Sequence, residues 1–272
     1  MSSINSIAAE KLFRLVGTPN CPRLVDVRDG EGFDALPKLV PGSRRRSSRD
    51  TARWAAEHGG GAVVTICRHG GELSQGAAAI LRSSGIDAEY LEGGIEAWEE
   101  RKLPLVPVAA LPPLDETGHT RWVTRERPKI DRIACPWLIR RFIDPEAVFL
   151  FVSPAQVTEV ADTFAAEPFD IEGVHWTHRG ELCTFDVMLE EFGLATPPLL
   201  QLATLVRGAD TARLDLAPEA AGLLAASLGL SRMYTDDLAQ LEAGLALYDA
   251  FYRWCRDATG ETHNWPVNRP GA

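Results

Sequence analysis

Three short runs of apolar residues in the first hundred positions constrain the fold of this chain more than any other feature. They read RLVDV (23–27), AVVTI (62–66) and AEYL (88–91). Runs of this length are typical of strands that are buried on both faces of a sheet. Helical spacing over residues 50–58 and 74–84 separates the runs, and Gly85 stands where a helix should stop. Strands that alternate with helices predict a parallel sheet covered by helices.

The rest of the chain has a different pattern. Residues 102–120 are rich in proline and follow neither helical nor strand periodicity, which indicates a linker. After it we predict a helix over 131–142, a strand over 147–152 and mostly helices from about residue 184. The predicted organisation is an α/β domain over residues 1–105, a linker over 106–120 and a mainly α-helical domain with a few strands over 121–272. The first sixteen residues favour an amphipathic helix.

Composition and charge narrow the class of protein. With 45% apolar and 24% charged residues, the chain resembles soluble globular proteins. Its net charge of −10 argues against DNA as a partner. No apolar run approaches the ~20 residues of a membrane-spanning helix, and the N-terminus does not resemble a secretion signal, so we expect a cytoplasmic protein without a membrane partner. The five scattered cysteines, without a CxxC pair, favour reduced thiols over disulfides.

Cys67 follows the predicted strand AVVTI directly and precedes a glycine-bearing loop and a helix. The N–H groups of such a loop and the positive end of the helix dipole can hold an anion. The same field favours the nucleophilic thiolate form of a cysteine. Arg68 and His69 would add positive charge beside it. The alternative interpretation is a buried cysteine without chemistry.

Three segments resemble signatures of the rhodanese-like family, in the order found there: LVDVRDGEGFDALPKLVPGS (24–43), VVTIC (63–67) and YLEGGIEAW (90–98). The resemblance implies a parallel α/β sheet and a cysteine that carries persulfide sulfur or engages an oxyanion. Cys67 would be the nucleophile, with Asp26 and Arg28 as structural and electrostatic supports. The anion-binding loop would comprise Arg68, His69, Gly70, Gly71, Glu72, Leu73 and Ser74.

This loop departs from the family pattern in two ways. Six residues separate Cys67 from Ser74, the expected start of the helix, where sulfurtransferases commonly have five. Leu73 stands where those enzymes have an arginine, the natural clamp for an anion. The longer loop resembles the phosphatase-like and arsenate-handling branch of the fold, whose cradle suits a tetrahedral oxyanion.

The second predicted domain contains further candidate residues. Asp131 and Cys135 would share one face of the helix over 131–142, with Arg132 and Arg141 nearby. His178, Cys183 and Asp186 could bind a transition-metal ion, although their spacing matches no standard zinc pattern. We interpret Asp210 as a helix cap. Asp249 either shares a pocket with the neighbouring tyrosines or is solvated.

Several long motifs of this region resemble the C-terminal domain of the chromate-resistance ChrB-type family: WVTRERPKIDRIACPWLIRRFID (122–144), HRGELCTFD (178–186), VRGAD (206–210) and YDAFYRWC (248–255). The resemblance implies a role in chromate resistance, and some members are described as regulators beside a chromate efflux transporter. The positions that it carries over are Asp131, Arg132, Cys135, Arg141, His178, Cys183, Asp186 and Asp249.

Two functions remain open at this stage. The first is a thiol enzyme, in which Cys67 accepts sulfur from a small-molecule donor or reacts with a chromate-like oxyanion. The second is a non-catalytic sensor or regulator, in which the C-terminal domain binds chromate or a metal. The only cofactor that the sequence suggests is a transition-metal ion in the C-terminal domain, and a homo-oligomer is compatible with everything above.

Overall fold

A computed structural model describes residues 5–57 and 59–262. The first half of the chain contains β1 (Ser6–Ile7), α1 (Ala9–Phe13), β2 (Arg23–Asp26), α2 (Gly30–Asp34), β3 (Lys38–Leu39), β4 (Ser43–Arg45), α3 (Thr51–Ala56), β5 (Val63–Ile66), α4 (Glu72–Ser83), β6 (Ala88–Leu91) and α5 (Gly94–Glu100). Five of these strands form a parallel sheet in the order β1-β6-β5-β2-β4. All four residues of β5 are buried, as expected for a central strand covered on both faces.

The N-terminal segment differs from the amphipathic helix expected over residues 1–16. Ser6 and Ile7 form an edge strand beside Tyr90 and Leu91 of β6, and the helix is confined to Ala9–Phe13. Pairing with the sheet outweighs the local helical pattern at this point. Residues 1–4 of the expected helix lie outside the described residues.

The second half is helix-rich. It contains β7 (Val106–Pro107), β8 (Arg121–Arg125), α6 (Asp131–Phe142), β9 (Val148–Val152), α7 (Val157–Phe164), β10 (Glu167–Pro168), α8 (Thr184–Glu191), α9 (Pro197–Asp210), α10 (Ala220–Met233) and α11 (Asp237–Asp257). A three-stranded parallel sheet has the order β10-β8-β9. Helix α6 packs against α8, α9 and α11, and most of its residues are buried. It is therefore the central helix of this half.

The segment predicted as a linker over 106–120 has structure of its own. Strand β7 pairs antiparallel with β3, and a short 3₁₀ turn follows at Val108–Ala110. The two halves of the chain also touch directly, because the N–H of Gly42 donates to the carbonyl of Phe142 at 2.5 Å. One continuous apolar cluster includes residues of both halves, such as Leu12 and Phe142. The N-terminal sheet and the helix-rich half are thus joined by shared packing as well as by the connecting segment.

No helix within residues 5–57 and 59–262 has both the length and the apolar character needed to cross a membrane.

Candidate functional site

Cys67 lies between the central strand β5 and helix α4. The strand ends at Ile66, and the helix begins at Glu72 rather than at Ser74 as expected from the sequence. Gly71 ends the loop with an extended backbone (φ −90°, ψ −148°). The last two of the six residues between Cys67 and Ser74 are therefore helical, and Ser74 lies in the first turn of α4.

The sulfur of Cys67 contacts the polar groups at the start of α4. The N–H of Gly71 donates to Sγ at 3.2 Å, and the hydroxyl of Ser74 lies 3.0 Å from it. The residue is only 5% exposed, at the base of a cavity of about 210 Å³ that is also lined by Arg28, Glu31 and Leu73. A nucleophilic sulfur in this position is held by hydrogen bonds and can be reached only through the cavity.

The charges around the cavity do not favour a doubly charged anion. Arg68 Nε lies 2.6 Å and His69 Nδ1 lies 2.8 Å from the two carboxylate oxygens of Glu96 on α5. Both side chains therefore point to α5, and the hydrogen bond from Arg68 lowers the pKa of Glu96. Asp29, Glu31 and Glu72 also line the cavity and contribute negative charge.

Asp26 and Arg28 form a buried ion pair beside the loop. Arg28 Nη2 lies 2.5 Å from Asp26 Oδ2, and both side chains are 1% exposed. The guanidinium also donates to the carbonyls of Leu36 at 2.8 Å and Lys38 at 2.7 Å. Because its donors are directed at protein oxygens, Arg28 stabilises the turn after β2 and leaves no clamp for a ligand.

We expect the substitution Asp26→Ala to lower the free energy of unfolding by about 3–5 kcal/mol, because it leaves the Arg28 charge buried and unpaired. Chemical denaturation gives this value directly. Asp87→Ala is the matched control, since the exposed Asp87 should tolerate the change within about 0.5 kcal/mol. Equal effects of the two substitutions would contradict the structural role of the pair.

A second cluster of polar groups lies in the helix-rich half, around the imidazole of His178. Its Nε2 lies 3.5 Å from Asp131 Oδ2, 3.5 Å from Asp170 Oδ1 and 3.2 Å from Asp210 Oδ2. Asp131, Asp170 and His178 each present an atom suitable for metal coordination, and these atoms lie within 4.8 Å of one another. Asp131 is the first residue of α6 and Asp210 the last residue of α9, so the ends of two helices meet here.

The carboxylates of this cluster are held by neighbouring groups. The N–H of Thr184 donates to Asp131 Oδ2 at 2.6 Å, and its hydroxyl donates to Asp170 Oδ1 at 3.0 Å. Arg132 Nε lies 3.3 Å from Asp170 Oδ2. Asp131 is completely buried, yet its second oxygen, Oδ1, has no hydrogen-bond partner among the described residues.

The backbone is strained at two points of the cluster. Ile130, directly before Asp131, has φ 34°, which is unfavourable for a β-branched side chain. Asp170 has φ 54°, in the left-handed region. Such conformations persist only where the surrounding structure imposes them, and they concentrate at functional sites.

Burial and charge repulsion dominate the electrostatics of the cluster. Burial raises the pKa of Asp131 and raises that of Asp210 to about 7. Hydrogen bonding to Asp131 and Asp170 raises the pKa of His178 to about 10, which stabilises the protonated imidazole. The close approach of the three acids is thus unfavourable when all of them are ionised.

The sequence predicted that His178 shares a site with Cys183 and Asp186. In the structure, His178 instead lies among the three acids of the cluster. The N–H of Cys183 donates to Asp186 Oδ2 at 3.1 Å at the start of α8, and Arg207 donates to Asp186 Oδ1 at 2.7 Å. Asp186 is thus engaged in a helix cap and an ion pair. Burial raises the pKa of the Cys183 thiol far above its usual range, which disfavours the thiolate that a metal requires.

The remaining predicted residues divide between the cluster and the core. Arg132 belongs to the cluster, whereas Cys135 is fully buried in the apolar core. Arg141 donates to both carboxylate oxygens of Asp249 at 2.8 Å, and Trp137 Nε1 donates to Asp249 Oδ1 at 2.8 Å. These contacts join α6 to α11 about 15 Å along the helix from Asp131.

Sequence reasoning missed two members of the cluster. Asp170 was not singled out, and Asp210 was interpreted as a helix cap, although it lies 3.2 Å from His178. The four residues come from positions 131, 170, 178 and 210, and only the tertiary fold brings them together. No local spacing could have indicated the set.

In comparisons with known proteins, two separate parts of the chain match two different families. Residues 8–101 match the family model of the rhodanese-like domain, and residues 122–255 match that of the ChrB C-terminal domain. Protein ChrB of Cupriavidus metallidurans is 37% identical over 146 residues, which cover 52% of this chain and 43% of that protein. The match therefore spans less than half of that relative's length.

Solved structures also resemble the chain. A rhodanese-related protein from Thermoplasma volcanium is 25% identical, with a TM-score of 0.33, covering 38% of this chain and 97% of its own. A rhodanese-like domain protein from Staphylococcus aureus is 23% identical, with a TM-score of 0.31, covering 35% of this chain and 91% of its own.

Proposed function

We propose that this chain, which joins a rhodanese-like domain over residues 8–101 to a ChrB C-terminal domain over residues 122–255, is a sulfurtransferase that carries sulfane sulfur on Cys67. The proposed setting is chromate resistance in the cytoplasm. The presence of five free cysteines is consistent with a reducing compartment.

The observation that carries this proposal is the hydrogen bond from the Gly71 N–H to Cys67 Sγ, 3.2 Å long, at the start of α4. Donors at a helix N-terminus stabilise negative charge placed against them. A persulfide is an anion at neutral pH and would extend from Sγ into the cavity. The loop therefore offers both the nucleophile and the groups that hold its product.

The proposed reaction has two displacement steps. The Cys67 thiolate attacks the outer sulfur of a donor, so that a new S–S bond forms and the electron pair of the broken bond leaves with the rest of the donor. An acceptor thiolate then attacks the outer sulfur of the Cys67 persulfide and takes it, which restores the Cys67 thiolate. No external oxidant or reductant is required.

The charges around the cavity favour a small donor with one negative charge over a dianion. Arg68 and His69 are paired with Glu96, the donors of Arg28 are engaged, and Glu72 lies at the cavity wall. A thiol-bearing donor such as 3-mercaptopyruvate should therefore outperform thiosulfate. For the same reason, the geometry supports sulfur transfer better than the binding of a tetrahedral oxyanion at Cys67.

We expect Glu72→Gln to raise kcat/KM for thiosulfate by about fivefold, because removing one negative charge from the cavity wall relieves about 1 kcal/mol of repulsion with a dianion. The gain for 3-mercaptopyruvate should be smaller. Steady-state sulfur-transfer assays with both donors measure the ratio of kcat/KM for thiosulfate to kcat/KM for 3-mercaptopyruvate. Glu100→Gln, on the exposed end of α5, is the matched control and should leave it unchanged. An equal gain for both donors, or a loss with thiosulfate, would count against this view of donor choice.

A further inference from the structure

We propose that Asp131, Asp170 and His178, with Asp210 at the rim, form a binding site for one divalent transition-metal cation of the Mn²⁺ or Fe²⁺ type. This site is separate from the Cys67 loop and does not depend on sulfur transfer. The cation would be held at the meeting point of the N-terminus of α6, the C-terminus of α9 and the loop before α8.

The spacing of Asp131, Asp170 and His178 fits a common ion. Their ligand atoms all lie within 4.8 Å of one another, and His178 Nε2 lies 3.5 Å from one oxygen of each of the two carboxylates. Nitrogen and oxygen ligands at about 2.0–2.2 Å from a metal are separated from one another by roughly 3.0–3.5 Å in octahedral or tetrahedral arrangements. The observed distances therefore match those between ligands that share one cation.

Hydrogen bonding alone does not account for this arrangement. One imidazole nitrogen carries at most one hydrogen and can serve one carboxylate well, yet three acids surround it. Charge-assisted hydrogen bonds between nitrogen and oxygen are usually about 2.7–2.9 Å long, shorter than all three distances. Arg132 and Arg125 reach only Asp170, through its Oδ2 atom at 3.3 and 3.5 Å.

The unpartnered oxygen of Asp131 is an independent indication of a ligand. Asp131 is 0% exposed, and its Oδ1 atom has no hydrogen-bond partner among the described residues. The buried thiol of Cys183 lies beside this carboxylate, but it donates to Asp186 Oδ2 at 3.2 Å. Leaving a buried carboxylate oxygen unpaired costs about 1–3 kcal/mol or more. A cation bound through both oxygens of Asp131 would remove that cost.

The neighbouring groups orient the carboxylates as supporting residues do in metal sites. Thr184 binds Asp131 through its N–H and Asp170 through its hydroxyl. Arg132 holds the other oxygen of Asp170, so that Oδ1 faces His178. Hydrogen bonds of this kind fix ligand orientation and are a regular part of metal sites.

The donor set determines the class of cation. Two carboxylates with one imidazole nitrogen suit Mn²⁺ or Fe²⁺ better than a thiolate-preferring ion. The site is open on one side, since the side chains of His178 and Asp210 are 40% and 20% exposed. Solvent or a small oxygen ligand could occupy the remaining coordination positions there.

Mn²⁺ binding to the full chain tests this proposal. We expect titration followed by the electron paramagnetic resonance signal of free Mn²⁺ to show one tight site per chain. Asp210→Asn and His178→Ala should each weaken binding at least about tenfold, because the first removes a negative charge beside the cation and the second removes a direct ligand. Both lie at the exposed side of the cluster, so the fold should persist, and circular dichroism verifies this.

Two matched variants serve as controls. Asp215→Asn and His175→Ala alter the same residue types at exposed positions outside the cluster and should bind Mn²⁺ like the parent chain. Mn²⁺ should also raise the Tm of the parent chain and of both controls more than that of the cluster variants. A folded parent chain without a stoichiometric Mn²⁺ site would overturn the proposal, as would equal binding by Asp210→Asn and Asp215→Asn. Neither result depends on sulfur-transfer activity.

Discussion

Replacing Cys67 with serine should reduce sulfur transfer to background, a loss of at least about 10³-fold. A hydroxyl group cannot form the persulfide. Cys183 also lies at the start of a helix, but burial raises the pKa of its thiol far above the usual range. The fold should survive, because serine keeps the size of the side chain and can still contact the Gly71 N–H. Initial rates with 3-mercaptopyruvate and a thiol acceptor measure the effect.

Cys21→Ser is the matched control for this experiment. Cys21 is more exposed than Cys67, but burial beside the core raises the pKa of its thiol to about 12. It should contribute little thiolate at neutral pH, and its substitution should leave the rate unchanged. Substantial activity in Cys67→Ser, or a comparable loss in Cys21→Ser, would remove the assigned nucleophile.

Gly94→Ala should be the most damaging small substitution near the loop. Gly94 has φ +62°, and an added Cβ would overlap the carbonyl oxygens of Cys67 and Arg68. These carbonyls accept hydrogen bonds from Ile95 at 2.9 Å and Glu96 at 3.2 Å, which dock the start of α5 against the loop. We expect a loss of about 2–5 kcal/mol in the free energy of unfolding, since strain and overlap with backbone add together. Sulfur transfer should fall with the displaced loop.

Gly76→Ala provides the contrast. Gly76 lies inside α4, and an added Cβ would meet nothing within 4 Å. Alanine is the better helix former, so this change should stabilise the chain by about 0.5–1 kcal/mol without altering sulfur transfer. The denaturation midpoints of the two variants should move in opposite directions, and only Gly94→Ala should lower the initial rate of sulfur transfer. If Gly94→Ala retained the stability and rate of the parent chain, the docking of α5 would not position the loop.

The sequence carried enough information to predict the parallel sheet and most helices. β5 and β6 are short apolar runs between amphipathic helices, and α6 coincides with the predicted range of 131–142. The pattern failed at residues 6–7, where an edge pairing with β6 replaced a helix, and at Val106–Pro107, which lie in the predicted linker but pair with Lys38–Leu39. Both errors involve strands of two residues, which are too short to produce a periodic signal.

The two sites differ in how much could be predicted. The position of Cys67 could be predicted because strand, loop and helix are consecutive in the sequence. This order places the sulfur at the start of α4. The orientation of Arg68 and His69 towards Glu96 could not be predicted from the sequence, since it depends on how α5 packs. The cluster around His178 combines residues up to 79 positions apart, from Asp131 to Asp210. Its members become recognisable only when the helix ends meet.

The most direct test of sulfur transfer is to locate the sulfur itself. The full chain is incubated with 3-mercaptopyruvate, its thiols are blocked, and proteolytic peptides are measured by mass spectrometry. The expected result is a mass increase of one sulfur atom on the peptide that contains Cys67, reversed by a thiol acceptor. A chain that carries the added sulfur on Cys21 or another cysteine, or that carries none, would contradict the assignment.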